Sequence, residues 1–141
     1  MGAYEESLRS ISLKADASLA VYTGPPGQPG SASPNAGQQF RAVKMTGDDT
    51  VGLVTANTDN VFGVMQNKPQ VTGQAATVAI RGVTMMVMGV GGLTAGAAVG
   101  ADSTGRAIAA VSTKQRIGFL LQGSSTVGEL LPVLLSPGYQ V

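Results

Sequence analysis

The 141-residue chain contains no cysteine, no histidine and no tryptophan. The first absence rules out disulfides, thiolate nucleophiles and cysteine-ligated metals. The second removes the commonest general base and the commonest transition-metal ligand. Aromatics make up only 4% of the residues, three Phe and three Tyr. A core here must be built from small and aliphatic side chains, which bury less area per residue. Charge is scarce too, at 12% of the chain against about a quarter in ordinary soluble domains. Copies of such a chain repel one another weakly, and the modest core points the same way, toward an oligomer or an assembly component. The net charge is +1 with nine scattered Lys and Arg, which leaves no basic footprint for nucleic acid. The opening MGAYEESLRS carries two acids and no apolar run, unlike a secretory signal.

What is present is β texture in two parts. Residues 1–39 read as an extended N-terminal arm, and residues 40–141 as one compact β domain. Within the arm Ile11, Leu13, Ala15, Ala17, Leu19 and Val21 are apolar at every second position, the period of a strand with one buried face. That strand has no partner nearby in sequence. It must pair with the body, with another copy or with a different protein. Thr23–Gln39 is dense in Gly, Pro and Ser. Gly24, Gly27 and Gly30 are spaced as in collagen for only three triplets, so an extended polyproline-type linker is the better reading.

From Phe40 onward short apolar runs alternate with turn residues. The predicted strands are Phe40–Met45, Val51–Thr55, Val61–Met65, Ala76–Arg81, Val83–Met88, Ala98–Ala101, Arg106–Ala110, Ile117–Gln122 and Glu129–Leu135. Such spacing predicts an all-β body, a small barrel or sandwich. Ala3–Ser10 and Leu93–Val99 offer at most a turn of helix. Gly82 sits where the alternation changes phase, as a bulge or barrel corner requires. Pro132 cannot donate to a ladder, so the last strand is expected at an edge or with its missing donor turned outward. Gly82–Ala101 is uncharged and long enough to span a membrane. Six of its residues are Gly, and two buried strands with a turn explain it better.

Candidate chemistry is thin. Asp48, Asp49 and Asp59 would be oxygen ligands for calcium, yet they lack the spacing of a known loop and Asp is what turns ordinarily contain. Gly89–Gly92 has neither the lysine nor the following helix of a phosphate loop. Ser124 and Ser125 have no histidine to activate them. Neither a metal nor a cofactor is expected, and the chain does not read as an enzyme. Met85, Met86 and Met88 fall on a strand with both faces apolar, which suggests burial against the body on one side and self-association on the other.

Three stretches occur in order: GQAATVAIRGV (73–83), AGAAVGADSTGRA (95–107) and IGFLLQGSSTVGELLPVLL (117–135). Through Gly73, Val78, Gly82, Asp102, Gly105, Arg106, Gly118, Gly128 and Glu129, the region from Phe62 to Leu135 resembles the capsid decoration, or cement, proteins of tailed bacteriophages. The resemblance covers about half of the chain. It implies a compact β domain bound to the outside of the major capsid protein shell, commonly as a homotrimer, with an N-terminal segment that grips the shell. It would place the protein on the virion surface, and in the host cytoplasm during assembly. No catalytic residue comes with it, nor any membrane or nucleic-acid partner. The arm is longer than in the shortest members. It fits the grip role, with Ile11, Leu13, Ala15, Ala17, Leu19 and Val21 docking as a strand added to the capsid protein's sheet. The alternatives are a tail or baseplate structural protein and a small β binding module.

Overall fold

The computed structural model describes residues 7–21 and 38–139, and the statements below concern those residues. They form nine strands: β1 (Arg9–Ala15), β2 (Ala42–Gly47), β3 (Thr50–Leu53), β4 (Gly63–Met65), β5 (Ala75–Val87), β6 (Ala98–Ala101), β7 (Ala107–Ala109), β8 (Gln115–Leu120) and β9 (Leu130–Tyr139). There is no helix among them. Leu93–Ala97 is loop running into β6. The all-β expectation holds, and the architecture is a five-stranded barrel with a second sheet attached.

The barrel runs β1-β3-β2-β4-β5 and closes because β1 also pairs with β5. The second sheet continues from β5 in the order β9, β8, β6, β7, and a single parallel bridge from Met88 to Ala107 brings the end of β5 back against β7. One strand therefore serves both layers. The first half of β5 pairs with β1 and β4, and the second half with β9.

Two apolar clusters follow from this sharing. Ala15, Leu19, Val43, Val51, Met65, Ala76 and Val78 fill the barrel. A larger cluster lies between the barrel wall (Ala42, Val64, Ala79) and the inner face of the second sheet, which contributes Met86, Val99, Leu120, Leu131, Val133 and others. The face of β5 that meets the larger cluster passes from Ala79 to Met86 and Met88, an odd position to even ones. The predicted phase change is thus real, but it occurs inside one continuous strand. The β1–β5 register slips where Arg9 faces Arg81 and Ser10 faces Ala79, and Gly82 follows at φ +96°. A bulge with a left-handed glycine re-aims the strand from barrel to sheet without breaking it.

The arm is corrected most. β1 has β5 on one side and β3 on the other, with Leu13 opposite Ala76 and Ala15 opposite Val51. β5 lines one edge from Arg9 to Lys14, and β3 meets the other at Lys14 and Ala15, so the strand is built into its own chain's barrel. Residues 7–21 belong to the body, and the expected boundary at residue 39 is not a structural one. The Pro/Gly-rich stretch lies outside the described residues except for Gln38 and Gln39.

Pro132 is the other correction. β9 is not an edge strand, because it runs between β5 and β8. The Pro132 carbonyl accepts from Leu121 N–H at 3.0 Å, one residue past the end of β8. The proline's missing donor therefore falls at the last rung of the β8–β9 ladder. One bond is absent where the ladder ends, which a central strand tolerates better than a gap in mid-ladder.

Candidate docking surface

β5 and β9 are apolar at consecutive positions, the pattern of a strand covered on both sides. One side is accounted for by the larger core. Opposed residues in an antiparallel pair share a face, so the register identifies the other side. Val83 faces Leu134, Met85 faces Pro132 and Val87 faces Leu130 across β5 and β9. Phe119 of β8 faces Leu134, and Ala98 of β6 faces Phe119. The outward surface of the second sheet is a continuous apolar patch four strands wide. Met85 is 36% exposed and Leu130 45%, whereas Val83, Val87, Phe119 and Leu134 are half-buried against one another. At its rim the Arg116 guanidinium lies 4.7 Å from the Phe119 ring centroid, and its Nε donates to the Ser136 carbonyl at 3.1 Å. This contact attracts the cation to the ring face and holds the rim in place.

The three methionines expected to self-associate are divided by the pleat. Met86 and Met88 are fully buried in the larger core and offer nothing to a neighbour. Met85 alone lies on the outer patch. Among the six arm residues, Ala15 and Leu19 are buried in the barrel, with Leu13 packed against that core. Ile11 shares the Leu13 face nearer the barrel mouth and is 37% exposed. The strand ends at Ala15, so the alternation stops predicting burial there: Ala17 is exposed and Val21 half-buried. Sequence reasoning missed Leu130, Pro132, Leu134 and Phe119. The signal was available in ELLPVLL, which is apolar on both parities just as the methionine strand is.

The acids are turn fixtures. The Asp59 carboxylate accepts from the N–H groups of Thr55 (2.9 Å) and Ala56 (3.0 Å) and pairs with Lys44 Nζ at 2.8 Å. The Lys44 bond, followed by those two, pulls its pKa down to about 2. Asp102 caps the β6–β7 turn through Thr104 N–H and Arg106 N–H (2.8 and 2.9 Å) and pairs with Arg106 Nε at 2.9 Å. Burial raises its pKa, but those hydrogen bonds together outweigh it and leave the carboxyl lowered. Glu129 accepts from the N–H groups of Thr126 and Ser125, which lower its pKa. Asp48 and Asp49 form the tip of the β2–β3 hairpin, with Asp49 at φ 50°. No group of three or more acids among the described residues could hold a metal ion. Ser124 is buried, and its hydroxyl accepts from Leu93 N–H at 2.9 Å, a loop-pinning role. No helix among the described residues is long and apolar enough to cross a membrane. Gly82–Ala101 is instead the second half of β5, a loop and β6.

Comparison of the chain with protein-family models and with curated proteins finds no match.

Proposed function

We propose that this is a structural virion protein that binds the outer surface of a tailed-phage capsid shell and stabilises it. In this reading it sits there as a homotrimer whose copies meet through the outer face of β5, β9 and β8. The observation that carries the reading is that apolar face: Met85, Leu130 and Phe119 form a sheet surface with no cover from their own second layer. Monomeric proteins seldom leave contiguous apolar sheet faces in water. Two further observations agree with it. The carboxylates of Asp59, Asp102 and Glu129 are spent on holding turns, and the ordered motifs from Phe62 to Leu135 resemble capsid decoration proteins. Repetition over a shell multiplies modest contacts by avidity.

The test is co-sedimentation of the purified protein with expanded shells of the encoding phage, beside its mass in solution by analytical ultracentrifugation. The wild type is expected to sediment with the shells and to run as a trimer. Met85→Glu with Leu130→Glu should run as a monomer with an unchanged amide spectrum and lower shell occupancy. A wild type that stays in the supernatant at every concentration would overturn the proposal.

A further inference from the structure

The barrel wall has a built-in gap beside β2. Antiparallel ladders alternate, so backbone groups two residues apart point to the same side. The Val43 carbonyl accepts from Phe62 N–H at 2.8 Å, and the Arg41 carbonyl accepts from Met65 N–H at 3.0 Å. Arg41 and Val43 therefore face β4. Met45, two residues further on, points its N–H and C=O to that same side, away from β3. β4 does not reach it. Past Phe62 the chain is fastened on its side away from β2 by Gln115, the first residue of β8, which takes both backbone groups of Val61. Gln115 Oε1 accepts from Val61 N–H at 2.7 Å, and Gln115 Nε2 donates to the Val61 carbonyl at 2.9 Å. A side-chain amide thus stands in for a neighbouring strand on that far side and fixes the segment that faces β2 across the gap.

The result is an open groove of about 660 Å³ between the edge of β2 and the Asp59–Phe62 segment. Met45 and Phe62 flank it and are 44% and 38% exposed. Inside, the Lys44–Asp59 pair neutralises itself, so the groove asks for no charge in its middle. At the hairpin end Asp48 and Asp49 are exposed without a basic partner among the described residues.

We propose that this groove takes an extended segment of another polypeptide, added antiparallel to β2 where β4 stops short. The segment presents uncharged residues to the groove and a lysine or arginine at its N-terminal end, beside Asp48 and Asp49. The main chain supplies the recognition, because the Met45 donor and acceptor are spaced to pair with an added strand. The partner is the shell protein, and only that identity rests on the function proposed above. The strand is donated to this protein, the reverse of a grip by its own N-terminal segment.

Two measurements test it. In the first, the labelled full chain is titrated with acetyl-Lys-Val-Thr-Val-Thr-amide to about 5 mM, which would more than half-saturate even a millimolar site. Amide shifts are expected at Lys44–Gly47 and Asn60–Phe62, with hydrogen exchange at Met45 slowed by up to about sixfold for a millimolar site and further for a tighter one, and the response weakened by salt. Met45→Pro removes the groove-facing donor but no β2–β3 bond, so it should keep the folded spectrum and lose the peptide response. No shift at the highest peptide concentration, or an unchanged Met45 exchange rate, overturns the groove. In the second, a photo-cross-linking benzoyl-phenylalanine replaces Phe62 on shell-bound protein. A cross-link to the shell subunit supports the assignment, and a cross-link to another copy of this chain overturns it. Protein that fails to bind shells at all sinks the proposed function, while the peptide titration still decides the groove.

Discussion

At Gly82 a β-carbon would lie 2.6 Å from the Ser7 carbonyl oxygen and 2.9 Å from the Leu8 Cα, on a backbone already at φ +96°. Both neighbours are main chain and cannot rotate away. Gly92 is a natural control, with φ +82° and nothing within 4 Å of the same position. Gly92→Ala should lose only the left-handed penalty of about 1–2 kcal/mol. Gly82→Ala adds the overpacking, a further ~1–3 kcal/mol, and lowers the urea midpoint correspondingly further. Equal midpoints would show that the approach of Ser7 to β5 is not tight in solution. The need for glycine here was legible, because the alternation of the sequence changes phase at this residue. Pro132 was not: its missing donor is harmless only because β8 ends at Leu120, which depends on where a strand from elsewhere in the chain stops. Met85 and Met86 are adjacent and alike in composition. Only the register with β9 places one in the outer patch and the other in the core.

Among the elements, β1 changes most between sequence and structure. Its alternation from Ile11 to Ala15 was plain, and so was its lack of a nearby partner. What could not be read was that β3 and β5 both lie open to receive it. Pairing between Leu13 and Ala76 is set by tertiary closure, with some sixty residues between them, and leaves no local mark. The body strands were legible in kind because turn residues bound them, as Asp102–Gly105 bounds β6 and β7. Their ends shifted by one to four residues where pairing outran the apolar run, as β9 does by continuing to Tyr139. A chain beginning at Phe40 lacks β1 and with it Ala15 and Leu19, both buried in the barrel. It should fail to unfold cooperatively, and the amides of β3 and of the first half of β5 should exchange freely. A truncated chain with wild-type protection in β3 would mean that the barrel does not need β1. Loss of shell binding by such a truncation would then report on folding and not on grip.

For the molecule as a whole, the absence of histidine and the state of its carboxylates set the response to pH. No side chain has a midrange reference value, so stability should change little from about pH 6 to 8. Asp59, Asp102 and Glu129 are all held below their ordinary values. A carboxyl whose pKa is depressed by folding stabilises the folded state above its unfolded value, and that contribution is lost as pH falls through the folded one. For Asp59 the window runs from about 3.8 down to about 2. Acid should therefore weaken the protein progressively below about pH 4, with the turn at Thr55–Asp59 among the first features affected. Asp59→Asn separates this residue's share. Near pH 7 the variant should unfold at lower urea than the wild type, since it has lost the charge that holds Lys44 and caps two N–H groups. Toward pH 2 the wild-type carboxyl is itself neutralised, and the two curves should converge. Urea midpoints measured at intervals from pH 7 to pH 2 decide it. A gap that stays constant over that range would show that Asp59 acts through shape and not through its charge. The turn it caps also leads into the groove beside Met45, so the same titration would show whether acid loosens that wall before the barrel as a whole.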